Sequence, residues 1–135
     1  MAVLIDSSVL ITWERRGLTA ADLLALVPDE RSAIASITAS EFLVGVYRAN
    51  TPERREKRAA IVELVLVTFQ VLAFDLAAAR VHARLAAALF SSGGAIGDHD
   101  LIIAATALAQ GYDILTDNPR DFDRVPGLTV RRPIW

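Results

Sequence analysis

From Leu101 to Ala109 the chain reads LIIAATALA, nine residues among which Thr106 is the one polar side chain. A helix that is apolar on nearly every side must be covered on nearly every side, so this segment predicts a central helix enclosed by other elements. Gly111 stands where a helix commonly ends in a left-handed residue, and Asp113-Ile-Leu-Thr116 then reads as a short strand. Acids bracket the unit, with Asp98 and Asp100 at the start of the helix and Asp117 after the strand. An ionised carboxylate at the edge of an apolar core is costly unless a cation, a helix N-terminus or a hydrogen bond receives it. These acids are the first candidates for function.

The rest of the chain supplies the enclosure. Ala2 to Ile5 is a continuous apolar run that suits a strand covered on both faces, and Asp6 sits where it hands over to a helix from Val9 to Arg16. Thr19 to Val27 reads as a second helix, Ser32 to Ile37 as a second strand, and Thr38 as the opening of a helix reaching about Arg48. Thr51-Pro52-Glu53 combines an N-cap, a proline at the first helical position and an acid in the first turn. That helix is charged through ERREKR and apolar from Ile61 to Val67. Val71 to Phe74 is a third strand, and Asp75 caps an Ala-rich helix to Phe90, closed by Ser91 to Gly94. After the Asn118-Pro119 turn, Arg120 to Arg124 is a short helix or turn and Leu128 to Val130 a last edge strand. Strands alternating with helices predict one α/β domain over 1–135, its central sheet mainly parallel, twisted and made of about five short strands.

With 135 residues, 53% apolar and 22% charged, the chain is globular and has a core of its own. No run approaches the roughly 18 apolar residues of a membrane span, and the N-terminus lacks the order of a signal peptide, so a soluble, cytoplasmic protein is expected. The absence of cysteine excludes disulfides, thiol catalysis and thiolate zinc, and two histidines argue against a histidine-rich metal site. A net charge of -2 counts only weakly against a nucleic-acid partner, because a divalent cation bound by acids leaves the remaining surface more basic. Thirteen of the fourteen cations are Arg, the side chain suited to phosphate, although a GC-rich genome produces the same bias.

Functional residues of open α/β sheets gather beyond the carboxyl ends of the strands. Asp6 and Asp117 lie there, Glu41 stands near the start of the helix after the second strand, and Asp98 and Asp100 begin the helix before the Asp117 strand. Like charges at close range raise one another's pKa, so such a cluster points to a cation, and an all-oxygen ligand set favours Mg2+ or Mn2+. Each acid also has a structural reading. Asp6 can cap a helix, Thr38 and Glu41 match the capping box, Asp98 or Asp100 can be an N-cap, and Asp117 a turn residue.

The segments VLIDSS, TASEFLVGV, IGDHDLIIAATALAQG and LTDNPRDF, in this order and spacing, resemble the motifs of PIN-domain ribonucleases, specifically the VapC toxin family. The resemblance covers essentially the whole chain. It implies a PIN-like three-layer sandwich and a Mg2+-dependent endoribonuclease that cuts cellular RNA, tRNA or rRNA, to 5'-phosphate and 3'-hydroxyl ends. It also implies a homodimer neutralised by a VapB antitoxin. Carried over by motif, Asp6, Glu41 and Asp100 are the first three acids, Asp100 being the one three places before Ile103. Two helical residues two apart point about 200° apart, so Asp98 is left as N-cap or outlying ligand. Asp6 and Asp100 are expected to hold metal, and Glu41 to hold a metal-bound water or act as base. Asp117 is the expected fourth acid, with Thr116 and Asn118 as its hydrogen-bonding neighbours and Asp121 as the weaker candidate. Ser7 is read as a phosphate or water contact, or as a helix cap. Arg48, Arg54, Arg55 and Arg120 are candidate RNA contacts, against the plainer reading of a solvated charged face. His99 is a substrate contact or a solvent-facing loop residue, and His82 a surface residue. Rival readings are a PIN-like binding module without turnover, a phospho-accepting receiver-like domain and an aspartate-nucleophile phosphatase. The last two lack the lysine or second acid that they need.

Overall fold

A computed structural model of the chain describes residues 1–94 and 96–135. Five short strands, β1 (Ala2–Ile5), β2 (Arg31–Ala35), β3 (Gln70–Leu72), β4 (Asp113–Leu115) and β5 (Val130–Arg131), form one sheet in the order β3-β2-β1-β4-β5. Every pairing is parallel. Parallel neighbours need crossovers, and helices supply them. α1 (Ser7–Arg15) and α2 (Ala20–Leu24) link β1 to β2, and α3 (Ser36–Tyr47) and α4 (Pro52–Thr68) link β2 to β3. α5 (Leu76–Ser91) and α6 (Asp98–Gln110) lead to β4, and the one-turn α7 (Pro119–Phe122) to β5.

The pleat sorts the strand residues between two cores. Val3, Ile5, Ile34 and Leu115 pack with Val9, Trp13, Phe42, Val46, Val62 and Val65 on one side of the sheet. Leu4, Ala33, Ala35, Leu72 and Ile114 pack with Leu85, Leu89, Leu101, Ile103 and Ala104 on the other. The result is the expected three-layer sandwich. α6 buries Leu101 and every residue from Ile103 to Ala107. It stops at Gly111, whose φ of +72° is open to glycine at little cost. Among the described residues no helix is long and apolar enough to cross a membrane.

Several boundaries move from their sequence expectation. β2 ends at Ala35, and Ser36, not Thr38, opens the next helix. Thr38 is therefore the third residue of α3 and fully buried, so the Thr38–Glu41 capping box does not form. A capping box occurs instead at α2, where Thr19 accepts from the Asp22 backbone N–H and Asp22 accepts from that of Thr19. α2 stops at Leu24, short of Val27, and the chain continues to Pro28 in turns closed by Leu26 N–H to the Leu23 carbonyl and Val27 N–H to the Leu24 carbonyl. Gly97 takes the N-cap position of α6, so Asp98 is its first helical residue and not its cap. β3 and β5 lie a residue or two from Val71–Phe74 and Leu128–Val130, where pairing to Ala33–Ala35 and to Ile114–Leu115 fixes them.

The sheet grows one way from β1 through β2 and β3, and the other way through β4 and β5. The reversal between β1 and β4 opens a crevice beyond their carboxyl ends. The Asp6 backbone N–H donates to the Leu115 carbonyl at 2.9 Å and closes the floor of that crevice.

Candidate active site

Asp6 follows β1 directly and is 3% exposed. It occupies the N-cap position of α1 with extended backbone, yet its side chain caps no backbone N–H. Its Oδ2 instead accepts from the Ser8 hydroxyl at 2.6 Å and the Thr116 hydroxyl at 2.8 Å. Those hydroxyls are themselves placed by the segment after β4, since the Asp117 N–H donates to Ser8 at 3.0 Å and the Asn118 N–H to Thr116 at 2.9 Å. Two hydroxyl donors thus fix the orientation of the Asp6 carboxyl group.

Glu41 comes from the second turn of α3, brought to the crevice by the early start of that helix. Buried Ser7 lies 3.2 Å from Glu41 Oε1 and 3.3 Å from the Thr38 hydroxyl, and donates to one of them at a time. His99, exposed at the start of α6, places Nδ1 3.7 Å from the same Glu41 oxygen. Asp100 is half-buried one position further on, and its carboxyl is raised from 3.8 to about 6. Burial is the largest cause, followed by the charges of Asp6, Asp121 and Glu41, with His99 acting in the opposite sense. Asp98 is exposed, and the helical repeat turns it away from Asp100.

The two candidates for the fourth acid differ in what they touch. Asp117 is exposed, and both of its oxygens are engaged, Oδ2 by the Thr12 hydroxyl at 2.5 Å and Oδ1 by the Trp135 indole N–H at 3.3 Å. Asp121 is tethered by the Asn118 amide at 3.0 Å, and it is the one whose charge bears on Asp100. Arg120 is exposed on the same short helix. Arg48 and Arg54 lie elsewhere, with Trp13, Lys57 and Arg58 around a cleft of about 770 Å3 between α1, α3 and α4. Arg54 bonds Asn50, Arg55 bonds the Ala49 carbonyl, and Arg58 bonds Glu14. The structure thus keeps these basic residues apart from the acid crevice. Ser8, Thr12 and Trp135 escape a motif-by-motif reading. For the first two, the four-residue spacing of Ser8, Thr12 and Arg16 is the signal that one helix face follows the crevice.

Among the described residues no three His, Cys, Asp or Glu side chains form a ready-made metal cage. Mg2+ does not require one, because it is held through one or two carboxylates while keeping much of its water. The oxygen-only pair Asp6 and Asp100 fits such an ion. Among the groups that shift Asp100 there is no Lys or Arg, and His99 alone acts against the acids.

The PIN domain family model matches residues 3–128, which include all of these acids. The chain belongs to the PIN-domain family. Within it, the chain is 35% identical over 130 residues to Ribonuclease VapC1 of Rickettsia felis, covering 96% of this chain and 95% of that protein. It is 34% identical over 100 residues to the tRNA(fMet)-specific endonuclease VapC of Salmonella typhimurium, 74% of each chain. A DNA-bound VapBC structure from Salmonella typhimurium superposes with a TM-score of 0.86 and 26% identity over 98% of each chain. These likenesses set the chain among the VapC proteins of the PIN-domain family.

Proposed function

We propose that this PIN-domain protein is a divalent-metal-dependent endoribonuclease, the toxin of a VapBC pair, acting on cellular RNA of the tRNA or ribosomal class. One observation carries the reading. At the topological switch point Asp100 is held up at about 6 by burial and by three other acids, against which His99 is the one basic side chain acting. That arrangement is unfavourable alone and favourable around a cation.

When bound, Mg2+, or Mn2+ in its place, makes water a better nucleophile and offsets charge on the phosphate. Asp6 and Asp100 would hold the ion, with Ser8 and Thr116 fixing the Asp6 carboxylate so that little reorganisation is needed. Glu41, oriented by Ser7, is the group placed to take a proton from the attacking water. Asp121 is the better-placed fourth acid, and Asp117 serves mainly to anchor Thr12 and Trp135. Displacement of the 3'-oxygen leaves 5'-phosphate and 3'-hydroxyl ends.

The relatives support the same reading, since one is a ribonuclease and another a tRNA(fMet)-specific endonuclease. The VapBC structure supports a VapB antitoxin as partner, and a homodimeric toxin in the cytoplasm completes the proposal. The test is mapping of RNA 5' ends after incubation with purified protein and Mg2+. Discrete 5'-phosphate ends that vanish with EDTA and in Asp6→Asn are expected. Intact RNA, or an Asp6→Asn variant that cuts like wild type, would refute the proposal.

A further inference from the structure

The chain has two tryptophans, and they are used differently. Trp13 is 4% exposed and donates to the Thr19 carbonyl at 2.8 Å, as a core indole does. Trp135 keeps 39% of its surface exposed. Its N–H points at Asp117 Oδ1, and the Arg16 guanidinium carbon lies 5.2 Å from its ring centroid.

This indole is linked to the acid crevice through one face of α1. Ser8, Thr12 and Arg16 recur at intervals of four, the last at the C-cap. Ser8 donates to Asp6, Thr12 donates to Asp117, and Arg16 stacks on Trp135. Asp117 thus fixes the indole edge while Arg16 steadies a face and brings positive charge to the rim of an acidic site. A partly exposed aromatic ring held in place beforehand is a platform for an unpaired nucleobase, and its ordering cost is already met.

We infer that Trp135, backed by Arg16 and oriented by Asp117, stacks on an unpaired base of the RNA flanking the phosphate that is cut at Asp6 and Asp100. The identity of the ligand rests on the ribonuclease reading. A Trp135 that merely pins residues 132–135 to α1 has no reason to discriminate a base from its absence, and this separates the two roles.

The experiment follows tryptophan emission of the whole protein in EDTA and low salt during titration with a hexauridylate, and with the same hexamer carrying abasic riboses. Quenching by the hexamer, weak quenching by the abasic strand, and loss of the quench in Trp135→Phe are expected, because Trp13 is buried. Trp135→Ala should weaken binding of the hexamer roughly ten-fold and of the abasic strand hardly at all. Equal weakening for both strands, or a quench that survives in Trp135→Phe, overturns the stacking role. No quench from a wild-type protein that cuts RNA in Mg2+ overturns it too and leaves the ribonuclease reading standing. A base-dependent quench from a protein that cuts nothing upholds the platform and removes the ribonuclease reading.

Discussion

The two ends of the parallel sheet treat acids in opposite ways. At the amino end, Glu30 precedes β2, Asp113 begins β4, and Arg131 reaches back from β5 to both. Its guanidinium grips Glu30 with two hydrogen bonds of 2.9 and 3.1 Å and lies 3.2 Å from Asp113. That hydrogen-bonded pairing holds the Glu30 carboxyl below its ordinary 4.5 and raises Arg131. At the carboxyl end, Asp6, Glu41, Asp100 and Asp121 approach one another, and Asp100 moves up to about 6. On the proposed function, the same side-chain chemistry is a fastening where a guanidinium is supplied and a receptor where none is. Charge compensation from within the chain separates a structural acid from a working one.

The largest effects should come from removing carboxylates at the receptor end. Asp6→Asn and Asp100→Asn are expected to lower RNA cleavage at least about 100-fold, the scale on which loss of one preorganised electrostatic contact acts. Asp100→Asn should at the same time raise the melting temperature of the metal-free protein, since it relieves repulsion from Asp6, Asp121 and Glu41. Cleavage assays paired with thermal melts in EDTA check both. A variant that lost activity and stability together would place Asp100 with the fastening acids.

Arg131→Gln tests the other end. It removes the bidentate pair with Glu30 and leaves Glu30 and Asp113 without their shared guanidinium, for a loss of about 2 kcal/mol in chemical denaturation. Cleavage per folded molecule should stay at the wild-type level, because no acid of the crevice depends on Arg131. Loss of turnover without loss of stability would dissolve the division between the two ends.

The pH dependence distinguishes them with opposite signs. Asp100 binds a proton more tightly in the folded state, so its contribution to stability is complete below about 4 and is lost as pH rises towards about 6. Glu30 is the reverse case, since its pairing contributes above the ordinary carboxyl range and is lost as pH falls through its lowered value. Melting temperature in EDTA should therefore rise as pH drops from 7 towards 5 and fall again at lower pH. Asp100→Asn should flatten the upper arm and Arg131→Gln the lower one. Saturating Mg2+ should stabilise the wild-type protein most above pH 6, where Asp100 is ionised.

Much of this organisation is legible in the sequence because it is local. The nearly all-apolar stretch in α6, the Thr51-Pro52 start of α4, the Asp75 cap and the Gly111 stop each announce themselves over a few residues, and alternation of elements then implies the parallel sheet. The start of α3 is not legible, because Thr38 is drawn into the core beside Ser7, a residue 31 positions away, and so cannot serve as a cap. The relation of Asp117 to Asp121 is equally hidden. Both follow β4 within a few residues, and only the placement of Thr12 and Trp135 shows that one of them is already engaged. Which acids face a common crevice is a property of the topology, and motif spacing alone does not contain it.

The smallest predicted effect bears on the finest form of the same contrast, between two acids a single residue apart. Asp98 and Asp100 both lie in the first turn of α6, where a carboxylate gains from the helix dipole. Asp98 is exposed and Asp100 half-buried among the crevice acids. Asp98→Ala should therefore cost at most about 0.5 kcal/mol of stability through the dipole and change Mg2+ affinity and cleavage less than about two-fold. Asp100→Ala should abolish both. Isothermal titration of Mg2+ into the two variants, alongside cleavage of the same RNA, makes the comparison direct. Equal loss of Mg2+ from both would mean that α6 presents its whole first turn to the cation, and that burial among other acids is not what selects the ligand.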